Sequence, residues 1–507
     1  MKDQQTSATS STTRDIVIEC SSEPDLKKMT VHQDKTNNND AGYMTSSNDS
    51  LQATAEILTI EVDNHNDEKW KLSIPPKLNS LSVEDTIRII KDVSSEITRI
   101  PDERRREWLV EKFTEYYSSV MPKSLIELSA SVFFDGDSGT SIDAKPDWLD
   151  IDKFRRGQKL ASDQLFGMFY ANLLSLFTMF CFEDGLRPLI FTNASSTPYT
   201  AFKRYLSTGT RIQNWYTSDP WTVGTPAYND IRAVRRMHAV VRKNIRDTPL
   251  DEYVERTTLK DSWCPALSRT RRDMESTCPA PKPGQCPYMF HDHVPQLKER
   301  KLNQGEMAIT QFAFVGIHVL NPKFFGMHDV TDEDLEAYCH LWRGLGYLLG
   351  IDDESNFCRG TLEDVRTRSR DFLEYWVKPN FRVVNPEWEH MMRCMVEGLQ
   401  YYFPGSTYET CLLDLAEIIN LHMPRTYNAL SYSIWIRHNI VRFYFNHASK
   451  LPGVRAFLNR RLIAALEKAR NFDEDKHQEL KQRSAKTIDS YLKQAKAEES
   501  IENGISL

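Results

Sequence analysis

Apolar residues return at intervals of three and four along most of this chain, the spacing of one face of an α-helix. In "LSVEDTIRIIKDVSSEITRI" Ile87, Ile90 and Val93 recur in that way. Ser82, with Asp85 three positions later, reads as the N-cap of that helix. "DERRREWLVEKFTEYYSSVM" predicts a second amphipathic helix, and "FFDGDSGTSIDAKPDW", rich in Gly and Asp, predicts a loop. From residue 147 to about 250 the pattern predicts successive helices. Helical spacing resumes in "GEMAITQFAFVGIHVL" and "TDEDLEAYCHLWRGLGYLLGI". It continues through the basic and apolar "SIWIRHNIVRFYF" and "AFLNRRLIAALEKA". The last thirty residues read as a charged, exposed helix and tail. Strand-like alternation is scarce; "AEILTIEVDN" is the one candidate for a short strand. The expectation is an all-α fold.

Two stretches depart from that pattern. Half of residues 1–50 are Ser, Thr, Asn or Asp, and Tyr43 is their only aromatic residue. Such a segment cannot bury enough apolar surface to offset its ordering entropy, so a disordered tail is expected over 1–52. Residues 262–300 form a Pro- and Cys-rich insertion. A third stretch, 164–182, carries no charge over nineteen positions, close to the length of a membrane span. Gln164, Asn172, Ser175 and Thr178 interrupt it, and acids bracket it without a basic flank. A buried core helix is expected there, and no membrane span.

Length, at 507 residues, allows a large core without disulfides or metals. A net charge of −7 argues against a general nucleic-acid binder. The N-terminus shows no secretory signal. Nine cysteines, few for the length and odd in number, fit a reducing, intracellular and cytoplasmic setting.

One helix concentrates candidate chemistry. In "IRAVRRMHAVVRKNI", Ile231, Val234, Val241 and Ile245 fall within about 60° of His238 on a helical wheel. Arg235 and Arg242 sit at the rims of that stripe, and Arg232, Arg236 and Lys243 lie on the far side. His238 therefore points inward. It is either a core histidine bonded to a carbonyl or an axial ligand, since neutral imidazole suits iron and a haem needs an apolar slot with one such ligand. In the second case Arg235 and Arg242 could pair with haem propionates. A second helix, "TAFKRYLSTGTRIQNW", puts Arg204, Ser207, Thr208 and Arg211 on one polar face. That face is either a solvated surface or a donor set facing a ligand or bound oxygen.

These segments carry a resemblance. "DWLDIDKFRRGQ", "RYLST", "IRAVRRMHAVVR", "AITQFAFVGIHVL" and "LWRGLGYLLGIDDE" occur in this order. In that order they resemble the catalytic domain shared by bacterial latex-clearing (rubber) oxygenases and fungal oxygenases of the mycophenolic acid pathway, the DUF2236 family. The likeness covers roughly 140–410. It implies a globin-like helical core with one haem b, His238 as the proximal iron ligand, and Arg204 and Thr208 as distal residues. It also implies a small apolar, unsaturated, isoprenoid- or lipid-like substrate, dioxygen as co-substrate, and oxidative cleavage of a C=C bond. By analogy with the fungal members, association with the endoplasmic reticulum follows, and peripheral membrane contact with it. The chain departs from the bacterial pattern at Ser207, where a lysine stands there, and near Pro188, where a catalytic carboxylate has no clear counterpart. Glu183 and Asp184 are the nearest upstream acids. The domain order expected is thus a tail (1–52), a helical extension (53–139), the oxygenase-like domain (140–410) and C-terminal helices with a charged tail (411–507). A reading from a different class is a helical haem sensor or interaction protein that keeps the fold without catalysis.

Outside that set, Cys264, Cys278, Cys286, His291 and His293 fall close together, but without the tight CxxC knuckle of strong zinc motifs. They read as an irregular surface insertion before a zinc site. His318, in the apolar "FAFVGIHVL", reads as a core histidine. No P-loop, GxGxxG or nucleophile elbow is present.

Overall fold

A computed structural model describes residues 81–260, 262–286 and 301–502. Among them every regular element is a helix. The tail expected over 1–52 and the strand expected in "AEILTIEVDN" lie outside the described residues, as do His291 and His293.

Local chemistry sets the helix starts. The first helix, α1 (Val83–Glu96), begins at the capping box of Ser82 and Asp85 read from the sequence. α2 (Arg105–Tyr117) and α3 (Lys123–Ala130) follow. After a loop come α4 (Ile151–Asp163), capped by Asp150, and α5 (Leu165–Met179). α6 (Glu183–Phe191) leads to α7 (Pro198–Thr217) and α8 (Pro226–Asp247). The last two each start with Pro behind a Thr cap, where the missing N–H costs nothing. α9 (Leu250–Arg256) and α10 (Leu267–Thr277) precede α11 (Gln304–Leu320), α12 (Asp332–Leu348) and α13 (Leu362–Asp371). The chain closes with α14 (Pro386–Leu399), α15 (Tyr408–Ile418), α16 (Tyr432–Asn446), α17 (Val454–Arg470) and α18 (Glu474–Glu502).

The core is built on three close helix pairs: α4 with α12, α7 with α14, and α5 with α11. Missing Cβ atoms permit two of them. A Cβ on Gly157 of α4 would stand 2.3 Å from the Ala337 carbonyl oxygen of α12. One on Gly398 of α14 would stand 2.6 Å from the backbone nitrogen of Phe202 on α7. Trp342, Trp376 and Trp388 are fully buried around these crossings. The described residues belong to one unit by their contacts, and positions 140 and 410 both lie within it. Arg106 of α2 illustrates this: it donates to Asp352 Oδ2 at 3.0 Å, across the border at 140.

The uncharged stretch 164–182 is core, as expected. α5 is interior, with Met168, Ala171, Leu174 and Phe177 fully buried. It ends at Met179, and α6 leaves at 103° to it. Among the described residues no single helix is long and apolar enough to cross a membrane.

Candidate functional site

The candidate site lies where α7 and α8 pack together. Asp230 of α8 ties the two helices by accepting from Asn214 Nδ2 at 2.8 Å, with Arg211 Nε 3.6 Å away. α8 is then strapped by the loop that precedes α4. Three of the loop's aspartates, Asp135, Asp137 and Asp143, each meet one arginine of α8. Asp143 lies 3.3 Å from Arg232 Nη2, and Asp137 holds Arg235 through two N–H groups, the Nε bond being 2.9 Å. Asp135 lies 3.7 Å from Arg242 Nε. Gly136 lets the strap lie this close: a Cβ there would stand 1.6 Å from the Leu302 carbonyl oxygen and 2.6 Å from Arg242 Nη2.

His238 faces inward from α8, but not as a satisfied core residue. Neither ring nitrogen has a hydrogen-bond partner among the described residues, and Nδ1 is sealed from solvent. Burial lowers its pKa to about 4, helped by the positive charges of Arg242 and Arg204. The imidazole is therefore neutral at physiological pH, with its lone pair available.

Arg204 reaches the same place from α7. Burial lowers its pKa, the direction that desolvation imposes on a cation. Its one hydrogen bond goes to the Ser195 hydroxyl, Nη1 to Oγ at 3.2 Å, and its guanidinium lies 5.5 Å from the centre of the Tyr205 ring. It has no carboxylate partner among the described residues. A desolvated guanidinium without a counter-charge is costly, and such groups ordinarily meet an anion. One turn on, Thr208 and Ser207 make no side-chain hydrogen bond among the described residues, so their hydroxyls are free.

Arg204 and His238 are neighbours electrostatically: the charges of Arg204 and Arg242 both act on His238. Arg204, Thr208 and His238 each keep partial accessibility, although the surrounding protein strips solvent from Arg204 and His238. The same half-buried state recurs as a stripe on α5, at Phe169, Asn172, Leu176 and Met179, between fully buried neighbours. It recurs on α11 at Glu306, Thr310 and Phe314. Asn172 Oδ1 and Glu306 Oε1 are buried atoms without partners, as is His238 Nδ1.

Glu306 is the residue that sequence reasoning missed. Its pKa is raised to about 7, first by burial and further by the negative charge of Asp184, against the pull of Lys301. Asp184 and Lys301 form a buried ion pair beside it. In the sequence Glu306 reads as an ordinary acid in the first turn of a helix, where the dipole favours it. The one hint is that it is the sole charged residue of "GEMAITQFAFVGIHVL". Asp184, noted from the sequence as a nearby acid, is occupied by Lys301. Glu183 is exposed and paired with Arg187, 2.6 Å away.

The remaining candidates fall as follows. Arg235 is held by Asp137 and also donates to the Leu348 carbonyl at 3.4 Å, so its charge is met by protein. Arg242 donates to the Leu302 carbonyl at 3.2 Å and stays at the rim of the site. His318 is a core residue, fully buried and 3.3 Å from the Met168 carbonyl, with its pKa lowered to about 3 by burial. Cys264 and Cys278 are thiols whose pKa burial raises to about 11 and about 12. Among the described residues no group of three or more His, Cys, Asp or Glu side chains is arranged to hold a metal ion.

No protein-family model, no curated protein and no solved structure matches this chain significantly. The resemblance to the oxygenase family therefore rests on the sequence motifs alone.

Proposed function

We propose that this chain is a haem b-dependent oxygenase that uses dioxygen on a small, apolar, unsaturated lipid- or isoprenoid-like substrate. The observation that carries the reading is an unpartnered, neutral imidazole on α8 that feels the charge of a desolvated arginine of α7, itself without a carboxylate partner among the described residues. A porphyrin gives iron four nitrogens and asks the protein for a single imidazole, so a cluster of ligating side chains is not needed. His238 fits that need through its charge state and its free nitrogens. When bound, the haem would supply oxygen binding and the redox chemistry of double-bond cleavage.

The chain's own residues do the rest. Arg204 offers N–H groups to negative charge near His238, whether on a carboxylate or on the reacting oxygen. Thr208 adds a hydroxyl donor one turn away. Phe169, Leu176 and Met179 of α5 are half-buried apolar side chains of the kind that suits an unsaturated hydrocarbon chain. Glu306 can hold or release a proton at Oε1 near neutral pH. Arg235, bound to Asp137, acts as a positioning residue for α8 and not as a propionate partner.

The test is the absorption spectrum of purified protein with added haemin. A Soret band that His238→Ala abolishes or shifts strongly supports the reading, and Arg204→Ala should keep the band while changing oxygen consumption with unsaturated lipids. An unchanged spectrum and haem content in His238→Ala would remove its main support. A haem-loaded protein that consumes no oxygen would favour the sensor reading.

A further inference from the structure

The C-terminal helices carry a surface unlike the rest of the molecule. Residues 418–466 contain no acid and seven cations, in a chain whose net charge is −7. Within that stretch α16 turns its large apolar side chains outward. Tyr432 is 76% exposed, Ile440 61% and Phe443 62%, with Ile436 and Trp435 exposed beside them. On the helical wheel Tyr432, Ile436, Ile440 and Phe443 fall within an arc of about 80°. The opposite side is anchored: His438 and Phe445 are buried, and His438 Nδ1 lies 3.2 Å from Asp414. The outward face is thus fixed by the fold.

The rings at its edge are preorganised. Tyr432 and Trp435 stack with centroids 5.9 Å apart, and Trp435 donates through Nε1 to the Tyr427 hydroxyl at 2.8 Å. Leu451 and Phe457, both more than half exposed, follow in the same acid-free stretch. In that stretch Arg437, Lys450, Arg460 and Arg461 make no ion pair among the described residues, whereas Arg442 is taken by Glu417 and Arg455 by Asp329. Bulky apolar side chains, aromatic rings at their edge and free cations in the same stretch are what an anionic bilayer surface recognises.

We infer that the outward face of α16, with Leu451 and the free cations of the same stretch, docks on the anionic surface of a lipid bilayer without spanning it. A second copy of the chain fits less well, because it would set one acid-free face against another. A nucleic acid would use the cations but offers nothing to Ile436, Ile440 and Phe443.

The experiment is co-sedimentation of the full chain with vesicles of phosphatidylcholine alone and with vesicles about one-third phosphatidylserine. Binding should be at least about tenfold stronger to the anionic vesicles and should weaken as salt is raised. Ile440→Glu and Arg437→Glu should each reduce it about tenfold or more, with unchanged circular dichroism, since both side chains are exposed. Val223→Glu, at an exposed apolar residue between α7 and α8, should leave it intact. Equal binding to both vesicles, no binding, or a loss common to Val223→Glu overturns the proposal. So does light scattering that shows a dimer dissolved by Ile440→Glu, or retention of the chain by nucleic acid in place of vesicles. None of these readouts depends on haem or oxygenase activity.

Discussion

α8 and α16 look alike as sequence. Each is a basic helix with a stripe of large apolar residues and one histidine on its inward side. In the structure they are opposites. The stripe of α8 faces the interior and three of its arginines are met by Asp135, Asp137 and Asp143. The stripe of α16 faces out, and its inward side is held by His438 and Phe445. Periodicity places apolar residues on one face but does not say what that face meets. The supply of acids from elsewhere differs: a loop read only as Gly- and Asp-rich straps α8, and among the described residues no such loop reaches α16.

The comparison can be broken most severely at Gly136. Gly136→Ala puts a methyl where the Leu302 carbonyl stands, so the strap must lift from α8. A loss of about 3 kcal/mol or more in urea unfolding is expected. A loss under about 1 kcal/mol would mean that the strap yields easily.

Asp137→Ala tests the strap's strongest pair. Arg235 is only 13% exposed, so removing its partner should cost about 2–3 kcal/mol, less than a fully buried pair. The same measurement on Glu417→Gln, which unpairs the exposed Arg442 of α16, should show at most about 0.5 kcal/mol. Equal effects would erase the distinction between the two helices.

Between these lies Glu306, behind the face that α8 presents inward. Its folded pKa, about 7, is above its ordinary value of 4.5. The folded state therefore binds the proton more tightly, and this group's contribution is full below pH 4.5 and is lost as pH rises through 7. Glu306→Gln should flatten that fall, raising the melting temperature at pH 8 relative to pH 5 by a few degrees. A variant whose pH profile matches the parent would show that Glu306 is already ionised in the fold.

The helical class was legible because spacing and caps are local: Ser82, the cap read from the sequence, caps α1 in the structure. The core position of α5 was legible from its interrupting polar residues. Its sharp turn at Met179 was not, because the apolar run continues through Cys181 and Phe182 while the helix stops. The site was half legible. The inward direction of His238 followed from the wheel, and so did the polar face of Arg204. That the two meet was not, since it depends on how α7 packs on α8. The pairing of Arg235 with Asp137 spans 98 positions, and no local pattern encodes it. Glu306 was hidden because burial, not its neighbours in sequence, changes its proton affinity.

Arg204 has a consequence for the life of the protein in a cell. A cation kept from water, with a hydroxyl and an aromatic ring beside it and no carboxylate among the described residues, would gain stability from an anion that bound it. Any anion that settles there acts as a folding partner and adds stability in proportion to the logarithm of its concentration, about 2.7 kcal/mol at a hundredfold excess over its dissociation constant. On the proposed reading abundance would follow supply: chains made while the ligand is scarce would open more often and be cleared by proteolysis, and those that capture it would persist.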